Sequence, residues 1–396
     1  MMFLPEKPLA WGRAKSCIRT LAAYGTVRKA EIGAENVFDF SLGNPSIPAP
    51  DCVNEAIAEL IKGDSVELHG YTPANGLPSL RQALADDLNG RFGLGLTADN
   101  FYITCGAASS LSISLRAVLL PGEEVVVPAP HFPEYRVFTE ANGGKLVTVQ
   151  PRDDLQIDLD ALEAALNENT KAVIINSPNN PSGIIYDEEN LKGLADVLRR
   201  HEEKLGRPVF LIIDEPYREL VYDGFKVPCP LVYYDDAILC YSFSKSLSLP
   251  GERIGYIAVS DKMECGVDVY SAIAGAGRAL GYVNAPSLMQ RVIERCIGAT
   301  SDISQYEQNR AMLCDGLREL GYEFVEPHGA FYLFVKALEP DAQAFSDRAK
   351  KHELLLVPSD DFGCPGYVRI AYCVSADTIR RSMPAFKALM EEYKAQ

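Results

Sequence analysis

The sequence predicts an α/β protein, a mostly parallel sheet flanked by helices. Three observations predict it. The chain has 396 residues, 47% hydrophobic and 23% charged, an ordinary globular composition in a length suited to two domains. From about residue 100, short apolar runs alternate with amphipathic stretches. Runs such as Lys171-Ala172-Val173-Ile174-Ile175 and Ala237-Ile238-Leu239-Cys240 read as buried strands.

The formal net charge of -16 argues against nucleic acid and anionic membrane as partners. It leaves room for a local basic pocket and an anionic substrate. The ten cysteines are scattered without a Cys-x-x-Cys pair, so buried free thiols in a reducing cytoplasm are expected. The five histidines are far apart, and no metal site is expected. Met1-Met2-Phe3-Leu4, interrupted by Pro5-Glu6, is too short for a signal core, and no apolar stretch approaches membrane-spanning length.

In chain order, residues 1–40 form an arm ending in a short strand, Val37-Phe38-Asp39-Phe40. Ser41 to Pro50, dense in Gly and Pro, is an irregular loop that by itself reads as a linker. A helix spans roughly 51–62, and Tyr71 to Arg81 is a Pro/Gly turn entering an amphipathic helix, with Arg81 on its polar face. After the strand Phe101–Thr104, the small residues Cys105 to Ser110 lead into a helix over Leu111–Leu120. Small residues let backbone approach an anion, and a helix N-terminus presents free N–H groups to it.

The strand Glu124–Val127 precedes Pro128-Ala129-Pro130-His131-Phe132-Pro133-Glu134-Tyr135. Lys145–Val149 is a strand, and Asp158 caps a helix. The strand Lys171–Ile175 ends in the Asn/Pro turn Asn176 to Gly183, and Pro208–Ile213 delivers Asp214-Glu215-Pro216-Tyr217. A carboxylate at the end of an apolar strand is costly to bury unless paired. The strand Ala237–Cys240 delivers Ser242-Phe243-Ser244-Lys245, with Arg253 eight positions after the lysine. A lysine at a strand mouth, among hydroxyls and near a fixed cation, suits a Schiff base with a phosphorylated aldehyde.

Ile254–Val259 completes the sheet. Ala274 to Gly281 is glycine-rich but does not follow the first strand of a βαβ unit, so it is no nucleotide loop; it is expected to line the site or a dimer interface. A long helical stretch, about 286–320, precedes half-buried strands at Phe324-Val325, Phe331–Val335 and Tyr367–Ala371. Arg369 sits mid-strand, where an arginine needs an anion.

Together these motifs resemble the pyridoxal-phosphate-dependent aminotransferases of class I/II, the aspartate aminotransferase family of fold type I. The resemblance is carried by S-F-S-K at Ser242–Lys245 with Arg253, N-x-P-N-N-P-S-G from Asn176, P-x-F-P-x-Y from Pro130, and Y-x4-G-x3-L-R from Tyr71, and covers about residues 37–375. It implies an arm at 1–45, a large cofactor domain at 46–285, and a C-terminal part at 286–396 that joins the arm in a smaller α+β domain.

It also implies site roles. Lys245 would carry the cofactor and act as general base, and Asp214 would pair with the ring nitrogen. Phe132 would stack on the ring, and Asn180 and Tyr217 would donate to its oxygen. Gly106, Ala107, Ala108, Ser242, Ser244 and Arg253 would hold the phosphate. Tyr71 would reach the phosphate of a neighbouring subunit, making the protein a homodimer. Gly43, Asn180 and Arg369 would bind the substrate carboxylate. The implied reaction moves an amino group between an α-amino acid and a 2-oxo acid. A carbon–sulfur β-lyase or another elimination enzyme uses the same lysine, and a non-catalytic effector sensor ranks last because of the short N-terminus and acidic charge. Some relatives place a lysine where Ala108 stands, to bind a distal substrate carboxylate; Arg278 is the alternative here.

Overall fold

The structure is a computed structural model that describes residues 4–14 and 16–395. The expectation for Met1-Met2-Phe3 concerns residues outside these. The strands are β1 Phe38–Asp39, β2 Phe101–Thr104, β3 Glu124–Pro128, β4 Lys145–Val149, β5 Thr170–Asn176 and β6 Phe210–Asp214, then β7 Ala237–Ser242, β8 Gly255–Val259, β9 Tyr332–Lys336, β10 Leu354–Leu355, β11 Val357–Pro358 and β12 Tyr367–Ala371.

Seven strands make one sheet in the order β2-β8-β7-β6-β5-β3-β4. Pairing is parallel except around β8, which runs antiparallel to both β7 and β2. The apolar runs are continuous because helices cover both faces. On one face Val126, Val173, Ile175, Leu211, Ile213 and Leu239 pack with Leu194, Leu198 and Val292. On the other, the alternate residues Val125, Val127, Ile174, Ile212 and Ile238 pack with Leu111, Leu115 and Ile273. Each such side chain contributes about 1.5–3 kcal/mol by leaving water.

The parallel arrangement places the carboxyl ends of β2, β3, β5, β6 and β7 at one edge of the sheet, and the amino end of β8 joins them there. Open α/β sheets bind ligands along that edge. A second, antiparallel sheet has the order β11-β12-β9, and β1 pairs in parallel with β10, so the two chain ends meet.

Several local expectations change. The helix expected at Leu111 begins at Ala107, so the small residues form its first turn. The expected helix over 286–320 is two, Ser287–Arg295 and Ser304–Leu320; between them Ser301 N donates to Ser246 O at 2.8 Å. Met289, Val292 and Ile293 of the first pack into the core of the large sheet. The glycine-rich stretch is the second half of a helix, Gly266–Ala279, followed by a turn. Phe324 makes only an isolated bridge, to Val335. The strands β9 and β12 are buried on both faces, not one: Leu333 and Val335 join helix residues such as Leu313 and Leu389, whereas Phe334 packs on Ala129, Leu155 and Ile184. Arg81 is buried, donating 2.7 Å to Ala98 O. No helix among the described residues is long and apolar enough to cross a membrane.

Candidate active site

A cavity of about 320 Å³ opens at the carboxyl edge of the large sheet. Gly43, Ala107, Ala108, Phe132, Asn180, Asp214, Tyr217, Ser242, Ser244, Lys245, Arg253 and Arg369, drawn from segments up to 326 positions apart in sequence, all line it. Of the residues singled out from the sequence, Gly106 lies just behind the lining, while Tyr71, 97% exposed, and Arg278, also exposed, lie outside it.

Asp214 ends β6 and is 5% exposed. Tyr135, on the helix Glu134–Ala141, donates to its Oδ2 at 2.5 Å, while Oδ1 is buried without a partner. Burial raises the Asp214 carboxyl to about 7; the Tyr135 hydrogen bond opposes the rise, and Glu215 adds to it. Lys245 shows the opposite shift. Burial lowers its ammonium to about 8, with Arg369 and Arg253 pushing the same way and Cys373 opposing. Its Nζ donates 2.7 Å to Gly43 O.

The turn after β7 is held by its own hydroxyls. Ser242 Oγ lies 2.7 Å from Ser244 Oγ and accepts from Ser244 N at 3.2 Å. Arg253 Nη1 reaches Ser244 Oγ at 3.4 Å, and Nη2 donates to Cys105 O at 3.2 Å. Arg253 takes a left-handed φ of +52°, rare for a side-chain-bearing residue. Gly106 faces it with φ +91°; a Cβ there would meet Arg253 Nη2 at 2.6 Å. Arginine, serines and the first turn of the helix Ala107–Val118 together form a basic cup suited to a phosphate.

Arg369, in the middle of β12, is 2% exposed. Its Nη2 donates to Ser41 O at 2.6 Å and its Nη1 to Asn180 Oδ1 at 3.2 Å. Its Nε is buried without a partner, and no carboxylate among the described residues pairs with it. The guanidinium lies 4.7 Å from the Tyr332 ring centroid. The Asn180 oxygen is thus engaged, which leaves its NH2 as the free end of a side chain lining the cavity. Tyr217 OH lies 3.1 Å from Tyr332 OH, and Phe132 meets Tyr135 edge-on, with centroids 5.7 Å apart.

These observations fit the planar phosphorylated aldehyde that the sequence resemblance implies. An unpartnered buried carboxyl oxygen matches a protonated ring nitrogen, a lysine of lowered pKa matches an aldehyde carbon, and the basic cup matches a phosphate. Glu215, given no chemical role from sequence, pairs with Arg218. His131 likewise has none: burial lowers it to about 4, and its Nε2 lies 3.2 Å from Thr148 Oγ1.

Sequence reasoning missed Tyr135, Tyr332 and Ile18. Tyr135 is the last letter of the P-x-F-P-x-Y motif, and Tyr332 closes the Gly329-Ala330-Phe331-Tyr332 run, so a signal existed for both. Ile18, which lines the cavity from the helix Cys17–Ile32, carries none.

Residues 35–386 match the family model of aminotransferase class I and II. A probable aspartate aminotransferase of Methanocaldococcus jannaschii is 30% identical over 91% of this chain and 95% of its own length. Among solved structures, an amino transferase from Eubacterium rectale superposes with a TM-score of 0.97 at 53% identity, covering 99% of this chain and all of the other. An aspartate aminotransferase from Thermus thermophilus with maleate gives 0.86 at 26% identity, over 98% of this chain and 100% of that one. A match of this extent, on a fold whose cavity suits the same cofactor, means that the chain belongs to the class I and II aminotransferases, a pyridoxal-phosphate-dependent family.

Proposed function

We propose that the chain holds pyridoxal phosphate on Lys245 and moves an amino group between an α-amino acid and a 2-oxo acid. One observation carries this reading: the unpartnered Asp214 Oδ1 and a buried lysine of lowered pKa share one cavity. Bound there, the cofactor supplies an aldehyde for covalent attachment and a ring that draws electrons from the substrate Cα. The rest falls to the chain. Asp214 keeps a proton on the ring nitrogen. Phe132 covers one ring face, and the Asn180 NH2 and Tyr217 OH donate to the ring oxygen. Gly106, Ala107, Ala108, Ser242, Ser244 and Arg253 hold the phosphate. Arg369, whose Nε has no partner, clamps the substrate α-carboxylate, flanked by Asn180 and the Gly43 backbone. Lys245 Nζ, freed when the substrate amine takes its place at the aldehyde carbon, would take the Cα proton and later deliver one to complete the transfer; burial, which lowers its pKa to about 8, favours the neutral amine that this needs.

The partner in this reading is a second copy of the chain, with Tyr71 completing the neighbour's phosphate site. Tyr71, Tyr282 and Val283 are exposed apolar side chains of one region, tied together where Asn284 Nδ2 donates to Thr72 O at 2.5 Å. Aspartate is the first donor to test. It is in the name of the M. jannaschii relative, and the T. thermophilus structure holds maleate, a dicarboxylate. Ala108 offers no cation for a second carboxylate; Arg278, exposed at the end of the helix Gly266–Ala279 and outside the cavity lining, is the candidate to test for that role. The ten free cysteines support a reducing setting, the cytoplasm. We divide the chain at 45/46 and draw the second boundary past the helix Ser287–Arg295, because that helix packs on the large sheet.

The test is a visible spectrum of the purified protein as single amino acids are added without a 2-oxo acid. Loss of the yellow absorbance, restored by a 2-oxo acid, is expected and names the donor. Persistent yellow with accumulating ammonia would make the protein a lyase. Lys245→Ala is expected to retain the cofactor without a covalent bond and to lose turnover; normal turnover in that variant sinks the reading.

A further inference from the structure

Outside the cavity, a second buried polar cluster joins the two turns that carry the site's chemistry. Glu215 and Arg218 are 1% and 6% exposed. Arg218 Nε donates to Glu215 Oε2 at 2.6 Å, and Nη2 reaches the same oxygen. Nη1 donates to Tyr256 OH at 3.3 Å, and the guanidinium lies 4.8 Å from the Tyr241 ring centroid. The Tyr241 hydroxyl lies 2.6 Å from Glu219 Oε2 and 2.9 Å from Ser246 Oγ. None of these side chains lines the cavity.

The placement in sequence gives the cluster its meaning. Glu215 directly follows Asp214 at the end of β6, and Arg218 directly follows Tyr217 in the turn after it. Tyr241 and Ser246 bracket the turn that presents Lys245. Stability alone does not account for the ion pair, because apolar replacements of a buried pair are commonly neutral or stabilising. A planar fork that bonds within one turn and stacks on Tyr241, the β7 residue hydrogen-bonded to the other through Ser246, does something that an apolar filler cannot: it fixes their relative position.

We propose that Arg218 is a positioning residue, locking the turn that bears Lys245 against the turn that bears Asp214 and Tyr217. This rests on the reading of Lys245 as the reactive lysine. The consequence is geometric. Lys245 is confined with its Nζ on Gly43 O, facing the Arg369 and Arg253 cations, the Cys373 thiol and the Phe331 ring, which lies 5.3 Å away. A loosened turn lets Nζ reach water.

Arg218→Lys tests this while keeping Glu215 compensated by a cation. Tyr241→Phe is the second variant; it keeps the stacked ring and removes the hydroxyl link to Ser246. In each full-length protein, stripped of cofactor, Lys245 is acetylated across a pH series and its labelling is read by mass spectrometry, with Tm measured alongside. The wild-type midpoint is expected near about 8. Both variants are expected to shift it up by about one unit, so that labelling near pH 7 slows about tenfold. Midpoints that stay at the wild-type value while Tm falls would reduce the cluster to a structural role and overturn the proposal. A wild-type midpoint already in the ordinary lysine range would instead overturn the reading of Lys245.

Discussion

Asp214→Asn should stabilise the cofactor-free protein at neutral pH while crippling the enzyme. Burial lifts the Asp214 carboxyl from an ordinary 3.8 to about 7. Three pH units correspond to about 4 kcal/mol. The folded chain holds this proton more tightly than the unfolded chain, so stability falls as pH rises from about 4 to about 7 and then levels off. Asparagine carries no charge, and its oxygen can still accept from Tyr135. The measurement is the stability difference between wild type and variant by denaturant unfolding, at pH values spanning that window, without cofactor. The variant is expected to gain on the wild type by up to about 4 kcal/mol between its ends. Saturating pyridoxal phosphate should favour the wild type again at pH 8, because the ring nitrogen supplies the missing cation. A difference that does not change with pH would refute the account of Asp214 as an ionisable group waiting for a cation.

Two further outcomes follow from the same geometry. Tyr135→Phe removes a hydrogen bond to a buried carboxylate, worth about 1.5–3 kcal/mol; pyridoxal phosphate affinity near pH 7 should fall about ten- to a hundredfold by equilibrium dialysis, and an unchanged affinity would remove Tyr135 from the site. Tyr71→Ala should weaken cofactor binding without lowering Tm, since the side chain is 97% exposed on its own subunit. Mixed dimers of Tyr71→Ala and Lys245→Ala chains should regain one intact site and its turnover, and failure of this complementation would place Tyr71 outside the partner's site.

The sheet was legible because its strands are covered on both faces and so read as continuous apolar runs. Residues whose chemistry conflicts with such a setting stood out against them: Asp214 at the end of β6, Lys245 after β7, Arg369 inside β12. What could not be read were pairings made only by the fold. Tyr135 meets Asp214 across 79 positions of sequence, and Arg369 meets Ser41 across 328. Arg81 looked like a surface residue because its closest partner is the Ala98 backbone carbonyl, which leaves no mark on composition. The break between the helices Ser287–Arg295 and Ser304–Leu320 has a similar cause. The chain there braces Ser246 O through Ser301 N, a tertiary demand that helical periodicity does not record.

The opposed shifts at Asp214 and Lys245 have one cause, and that bears on how the site is used. Burial raises the acid and lowers the base, so both groups tend toward neutrality in the same cavity. In the function we propose, each is poised against a different end of one ligand. The carboxyl needs a cation at a ring nitrogen, and the neutral amine needs a carbonyl carbon. A ligand with only one of these features would relieve one penalty and leave the other in place. On that reading the cavity selects for a molecule that carries both, at a separation fixed by the turns after β6 and β7. Holding that separation is the function we assign to Arg218.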